Sequence, residues 1–297
     1  MITITLMGGL LYQVDWWELL YKIQTFSLST LGLGIGLLGL SQTLTARRWQ
    51  VVSRPFFPHI KFGRFWQLYM AGLCLGLVLP TAVGGDVGKA YGLGGSPQEK
   101  GLAAWTVLVD RYSGLMVQLA LAILGWVALA TPALRELTGG LVTVLAAGIY
   151  GSWAILPLVL HRLEDRWPQI QQLRQYWDPR LISEVGGYAL AIHVINCGIH
   201  VLIGHSLGIT LSPGSYMLIY CLAAIASVLP ISLGGLGVRE GTYVYLLGKT
   251  GIDATTSTTF AGLWFVTLLL VSLSGSLAIW SLWQSKSNHS TPPPAKD

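Results

Sequence analysis

Six charged residues stand where an apolar chain has little reason to keep them. Asp110 and Arg111 lie about two turns inside the apolar stretch that begins at Leu102, in Val-Leu-Val-Asp-Arg-Tyr-Ser-Gly-Leu. A charge inside a membrane span is costly and by default marks an interior-facing or functional position. Asp86 and Lys89 follow one glycine pair, Gly84-Gly85, and Arg239 and Glu240 follow another, Gly234-Gly235. Cations beside glycine backbone can hold a phosphate or carboxylate, because N–H groups approach the anion closely there. Carboxylates in the same setting can orient cations or couple protons. Adjacent helical residues do not face one another, so Asp110 and Arg111 are each expected to find a different partner. The plainer readings are a snorkelling pair at 110–111 and a solvated loop pair at 239–240.

Both glycine pairs belong to a longer pattern. Leu79, Pro80, Gly84, Gly85 and Lys89 match Leu229, Pro230, Gly234, Gly235 and Arg239, all at an offset of 150 residues, half the chain. Each copy ends an apolar run with a proline that removes a helix donor. Paired glycines then permit backbone that other residues resist, and a cation follows. The apolar runs before the prolines, Phe65 to Leu79 and Tyr216 to Leu229, hold 15 and 14 residues. At ~1.5 Å per residue each is about 21–22 Å long, short of a hydrocarbon core about 30 Å thick. Irregular backbone at that depth survives only when buried in protein or lining water. The expectation is an internal duplication whose two breaks, at Pro80 and Pro230, meet around one basic cavity. Matching interruptions in two halves point to a binding site in repeat-built transporters; coincidence among 36 glycines is the plain alternative.

Other constellations are weaker. His193, Asn196, Cys197 and His200 share one helical stripe, readable as a polar lining, a proton relay or part of a metal site. Metal ligands on one helix need partners elsewhere, and none is identifiable, so no metal and no cofactor is expected. Gly235-Leu-Gly237-Val-Arg-Glu approaches a dinucleotide fingerprint, but its third glycine is at 241 rather than 240 and a membrane run precedes it. Cys74, Cys197 and Cys221 are odd in number and lie in apolar segments, so no disulfide framework is indicated.

The elements that must position these residues are membrane helices. The 297 residues are 53% hydrophobic and 10% charged, against about 25% charged in soluble domains. The net charge of +5 sits in loops beside apolar runs, which suits membrane orientation and lipid headgroups rather than nucleic acid. Val14 to Phe26 reads as an interfacial helix, with Val14, Trp17 and Tyr21 on one face and Asp15, Glu18 and Lys22 on another. Spans are expected at about Ser27–Thr45, Phe65–Pro80, Leu102–Ala130, Leu141–Leu160, Gly186–Ser206, Tyr216–Pro230 and Thr258–Trp283. Between the first two, Arg47, Arg48, Arg54, Lys61 and Arg64 form an acid-free cytoplasmic loop candidate. Gly84–Lys100 reads as polar and glycine-rich. In the charged connector from His161 to Glu184, the spacing of Leu163, Trp167, Ile170 and Leu173 suits a surface-lying helix. Met1–Tyr12 is too short to span and shows no signal-peptide pattern, so it is a stub or the natural start lies upstream. From Gln284 the tail has nothing to bury and is expected to be disordered. This predicts an all-α integral membrane protein, a bundle of about seven to eight membrane segments. Residues 1–283 form one polytopic domain with pseudo-repeats at about 27–130 and 186–283, and two elements are Pro/Gly-broken or re-entrant.

Three runs carry a family resemblance: Leu79-Pro-Thr-Ala-Val-Gly-Gly-Asp-Val-Gly-Lys-Ala-Tyr-Gly-Leu93, Val109-Asp-Arg-Tyr-Ser-Gly-Leu115 and Leu229-Pro-Ile-Ser-Leu-Gly-Gly-Leu-Gly-Val-Arg-Glu-Gly241. They resemble the signature regions of the lysylphosphatidylglycerol synthase transmembrane-region family, also called flippase-like, over essentially the whole chain. The resemblance implies a multispan inner or plasma membrane protein related to the lipid-translocating half of aminoacyl-phosphatidylglycerol synthases, without their soluble transferase domain. Lys89 stands where the family commonly shows arginine, a point charge in place of a fork, and the family's first span is truncated at Met1. The expected activity is movement of an anionic or phosphate-bearing lipid, phospholipid or polyprenyl-linked, between leaflets. Lys89 and Arg239 would hold the phosphate with help from Arg111 and from backbone at Gly84, Gly85, Gly234 and Gly235. Asp86, Asp110 and Glu240 would orient or couple. The competing readings are an intramembrane transferase on a lipid-linked substrate, with Asp86 and Glu240 as base or metal ligand, and a non-catalytic membrane scaffold.

Overall fold

A computed structural model describes residues 14–78, 82–163, 175–228 and 235–288, and every regular element among them is helical. In chain order these are α1 (Trp16–Thr25), α2 (Leu28–Ser53), α3 (Phe62–Val78), α4 (Ala82–Leu93), α5 (Pro97–Leu124), α6 (Pro132–Leu163), α7 (Pro179–Ser206), α8 (Pro213–Val228), α9 (Val238–Lys249), α10 (Ala254–Leu273) and α11 (Gly275–Asn288). Among the described residues, five stretches are long and apolar enough to cross a membrane: Leu28–Ser53, Pro97–Ala128, Pro132–Val159, Pro179–Ser206 and Ala254–Leu282. Length alone therefore supports five spans. The other expected segments correspond to the short helices α3 and α8.

Helix starts are written locally. Ser96 and Glu99 form a reciprocal capping box before Pro97 at the first turn of α5. Asp178 caps α7 ahead of Pro179, and Asp253 accepts the Thr256 N–H at 2.7 Å to open α10. α3 and α8 end at Val78 and Val228, each two residues before a Leu-Pro step's proline. Pro80 and Pro230 themselves, with Gly234, lie outside the described residues.

Several boundaries move. α2 runs eight residues past the expected Thr45, because Trp49, Val51 and Val52 continue its buried stripe after Leu38, Ser41, Gln42 and Ala46. Arg47 and Arg48 are thus helical, not loop residues. The expected glycine-rich polar stretch is largely the helix α4, with Gly84 and Gly85 inside it. α6 begins nine residues earlier than expected and runs through Pro157. The last span divides at Ser274 into α10 and α11, and α11 continues to Asn288, into the stretch whose composition reads as disordered. Of the expected surface helix in the connector, Trp167, Ile170 and Leu173 lie outside the described residues.

α2 and α7 form the central pair, flanked by α5 and α10. Two helical hairpins attach to this frame: α3 packs along α4, and α8 along α9. The core is apolar and aromatic, with Leu38, Ile199, Leu218, Ile219, Tyr243 and Phe260 fully enclosed. α6 is peripheral: Leu141, Val144, Ile155 and Leu158 all project outward. Between it, α5 and α7 lies an apolar cavity of about 260 Å³ walled by Tyr112, Met116, Trp153, Tyr176 and Ile182.

Candidate functional site

The first hairpin is closed by backbone touching backbone. A β-carbon on Gly85 would fall 2.2 Å from the carbonyl oxygen of Gly72, and one on Gly72 would fall 2.8 Å from that of Gly85. Only glycine at both places lets α3 and α4 approach so closely. The approach lays Lys89 of α4 over the Tyr69 ring of α3, Nζ 4.4 Å from the centroid, a favourable cation–π placement. Lys89 Nζ donates to Asp86 Oδ1 at 3.0 Å, and Arg111 of α5 donates through Nε to Asp86 Oδ2. One carboxylate is therefore shared by two cations.

Beside this triad lies a second, closed pair. Arg48 Nε and Nη2 donate to Asp110 Oδ1 and Oδ2 at 2.8 and 3.2 Å, a planar fork matched to a carboxylate. Both side chains are buried, and Gly114 leaves the room the guanidinium occupies, since a β-carbon there would meet Nη1 at 2.6 Å. Asp110 and Arg111 thus do turn to different partners, Arg48 and Asp86. Arg111 is half-exposed while Asp110 is enclosed.

A cavity of about 180 Å³ opens against the triad, lined by Gly85, Asp86, Lys89 and Arg111 on one side and by Ser227 and Val228 of α8 on the other. Asp86, Arg111 and Val228 also line an adjoining apolar groove of about 340 Å³, which continues past Val87, Val107 and Leu108.

The second glycine region is built differently. Gly235 and Gly237 hold φ of +82° and +85°, the left-handed region that only glycine enters freely. Gly235 packs on Ser227, where an added β-carbon would meet the serine Cβ at 2.7 Å. Because Ser227 lines the cavity, the second turn abuts the space that Gly85 lines from the opposite hairpin. Arg239 and Glu240 pair with each other: Nη2 and Nε donate to Oε1 at 2.6 and 3.0 Å. Glu240 Oε2 accepts the Gly237 N–H at 2.7 Å, tying down the start of α9. Both side chains are buried, which replaces the solvated loop pair with an enclosed one. Neither is among the residues lining the cavity.

A family model for the lysylphosphatidylglycerol synthase TM region matches residues 1–275. The chain belongs to that family. A comparison with curated proteins finds no match.

In this member of the lysylphosphatidylglycerol synthase transmembrane-region family, four of the sequence-marked residues, Gly85, Asp86, Lys89 and Arg111, converge on one cavity. Gly84 sits in the same helix. Asp110 lies one layer deeper, and Arg239 and Glu240 stand apart. Arg48 was missed, since it follows Arg47 in a basic run and its acid lies 62 residues away. The usable signal was the buried stripe of α2 continuing through it. The histidine stripe forms a hydrogen-bonded core. His193 Nε2 faces the Gly114 carbonyl at 3.1 Å and Nδ1 the Tyr220 hydroxyl at 2.8 Å. His200 Nδ1 faces the Asn196 carbonyl at 2.7 Å and Nε2 the Tyr243 hydroxyl at 2.6 Å. A carbonyl only accepts, so the nitrogen facing it carries the proton, and the other lone pair is engaged by a tyrosine. That arrangement supports the polar-lining reading over metal ligation.

Proposed function

We propose that this chain is a flippase-like transporter of the cell membrane, moving an anionic or phosphate-bearing lipid between leaflets. The observation carrying the reading is the basic cavity between the two hairpins, contiguous through Asp86, Arg111 and Val228 with an apolar groove. A headgroup phosphate would rest against Lys89 and Arg111 while acyl or prenyl chains stay in the groove. Short helices ending at this cavity give a polar path that does not cross the full hydrocarbon thickness.

The reading includes an internal duplication. In its support, α2 and α7 start at residues 28 and 179, and α3 and α8 at 62 and 213, 151 residues apart in both cases. The later pairs, α4 with α9 and α5 with α10, follow in the same order. Arg239 and Glu240 would then act on the lipid indirectly, by fixing the α9 end of the second hairpin.

The test is reconstitution into phosphatidylcholine vesicles carrying a trace of fluorescently labelled phosphatidylglycerol, with a membrane-impermeant quencher reporting its movement. The protein should accelerate exchange between leaflets, and Lys89→Gln should abolish the acceleration without unfolding the protein, since Asp86 retains Arg111. Lipid movement equal to that of protein-free vesicles would refute the proposal.

A further inference from the structure

The cavity is unbalanced by one charge. From this we infer the ligand's charge class: a phosphodiester bearing a single negative charge, in preference to a dianionic phosphomonoester or a zwitterionic headgroup. The inference rests on the transport reading above for the location of the site, and not on whether the lipid is moved.

Five charged side chains meet here. Arg48 and Asp110 neutralise each other through a two-point fork, with side chains 6% and 7% exposed. What remains at the cavity is Lys89, Arg111 and Asp86: two cations and one carboxylate, a net charge of +1. The side chains of Lys89 and Asp86 are only 10% and 14% exposed, so water screens that pair poorly, while Arg111 is the half-exposed member of the set. An uncompensated charge in such surroundings favours one counter-charge. The two stretches that join the halves of each hairpin, residues 79–81 and 229–234, contain no Asp, Glu, Lys, Arg or His. Lys100 stands further along the groove, with Nζ 4.7 Å from the Tyr91 ring, and does not line the cavity.

A monoanion brings the cavity to neutrality. A dianion overshoots and leaves a net negative charge against Asp86. A zwitterion brings a cation that needs a carboxylate, and Asp86, the one acid among the described residues lining the cavity, is already shared by Lys89 and Arg111. Asp86 therefore sets the preference. It cancels one of the two cations and stands where cavity and groove meet, so the phosphate replaces part of its hold on Arg111 and Lys89 as it enters.

The experiment measures binding of short-chain lipids to the purified full chain by intrinsic tryptophan fluorescence. The probes are dioctanoyl phosphatidylglycerol, phosphatidic acid and phosphatidylcholine, at a pH alkaline enough for the phosphomonoester to be dianionic. Phosphatidylglycerol should bind about tenfold more tightly than either of the others. Asp86→Asn raises the net charge to +2 and should shift the preference to phosphatidic acid. Lys89→Gln removes the net charge and should erase the preference, whereas Lys89→Arg should keep it. Equal wild-type affinity for phosphatidylglycerol and phosphatidic acid would overturn the inference, as would an unchanged order in Asp86→Asn. Should Asp86→Asn fail to fold, the wild-type order and the two Lys89 variants decide alone. Vesicles that show lipid movement with no charge preference would sink this inference and leave the transport reading standing. A preference without movement would do the reverse.

Discussion

At Gly85 it is a neighbour that excludes any larger residue, the carbonyl oxygen of Gly72 lying 2.2 Å from where a β-carbon would go. At Gly235 it is the residue's own backbone, at φ +82°. The cations that follow differ in the same way. Lys89 shares its carboxylate with Arg111 across two helices, while Arg239 has its carboxylate next door, on a residue that also ties down the Gly237 N–H. One hairpin is thus shaped for close approach and left with surplus positive charge at a cavity. The other is shaped as a turn and closed on itself. The letters match at a fixed offset, but Gly85 serves a crossing in one half and Gly235 a turn in the other.

The largest test of this contrast lies in the charges. Arg239→Leu leaves Glu240 buried without its cation and should cost about 3–5 kcal/mol, read as a fall in melting temperature in detergent. Adding Glu240→Gln should recover most of the loss, since the amide oxygen can still accept from Gly237. Lys89→Gln should lower the melting temperature far less, because Asp86 keeps Arg111. Equal losses at the two sites would erase the distinction.

Next in size is the crossing. Gly85→Ala should destabilise by about 3 kcal/mol, the upper part of the usual range for overpacking, because the atom in the way is backbone and cannot rotate aside. Wild-type melting for this variant would mean that α3 and α4 do not touch as described. Smallest is the turn, where Gly235→Ala should cost about 1–2 kcal/mol for the left-handed backbone, plus a contact with Ser227. In a Ser227→Gly background the 2.7 Å contact with the serine Cβ disappears while the backbone carbonyl at 3.0 Å stays, and part of the loss should return. Full recovery would show that φ was not the constraint.

Much of this could be read from the chain. Low charge and long apolar runs pointed to long apolar helices, five of them long enough to cross a membrane among the described residues, while the breaks expected at the Leu-Pro steps 79–80 and 229–230 lie outside those residues. Asp110 and Arg111 stood out by the cost of charge in an apolar run, and the rule against adjacent contacts on a helix anticipated their divergence. Arg48 escaped because long-range pairing leaves no local trace, and a run of cations looks the same in a loop as on a helix with one buried face. The setting of Arg239 and Glu240 escaped for the opposite reason: adjacent residues pair where a helix begins, and a sequence does not say whether that beginning is enclosed. The helicity of Gly84 and Gly85 was hidden by low intrinsic propensity, which the packing of α4 on α3 overrides.

The peripheral helix α6 has a mechanical consequence. Its apolar part, Pro132–Val159, spans 28 residues, about 42 Å at ~1.5 Å per residue, against a hydrocarbon core of about 30 Å. A helix with that excess tilts, kinks or thickens the lipid around it. α6 carries Pro157 within its last turns, and its outward apolar side chains are left uncovered by the rest of the chain. Its lean has to reconcile that excess with the contacts that hold it to the bundle, the Tyr150 hydroxyl donating to the Met116 carbonyl and Trp153 stacked between Tyr112 and Trp177. The apolar cavity between α6, α5 and α7 therefore has as its outer wall the candidate span least enclosed by the rest of the bundle.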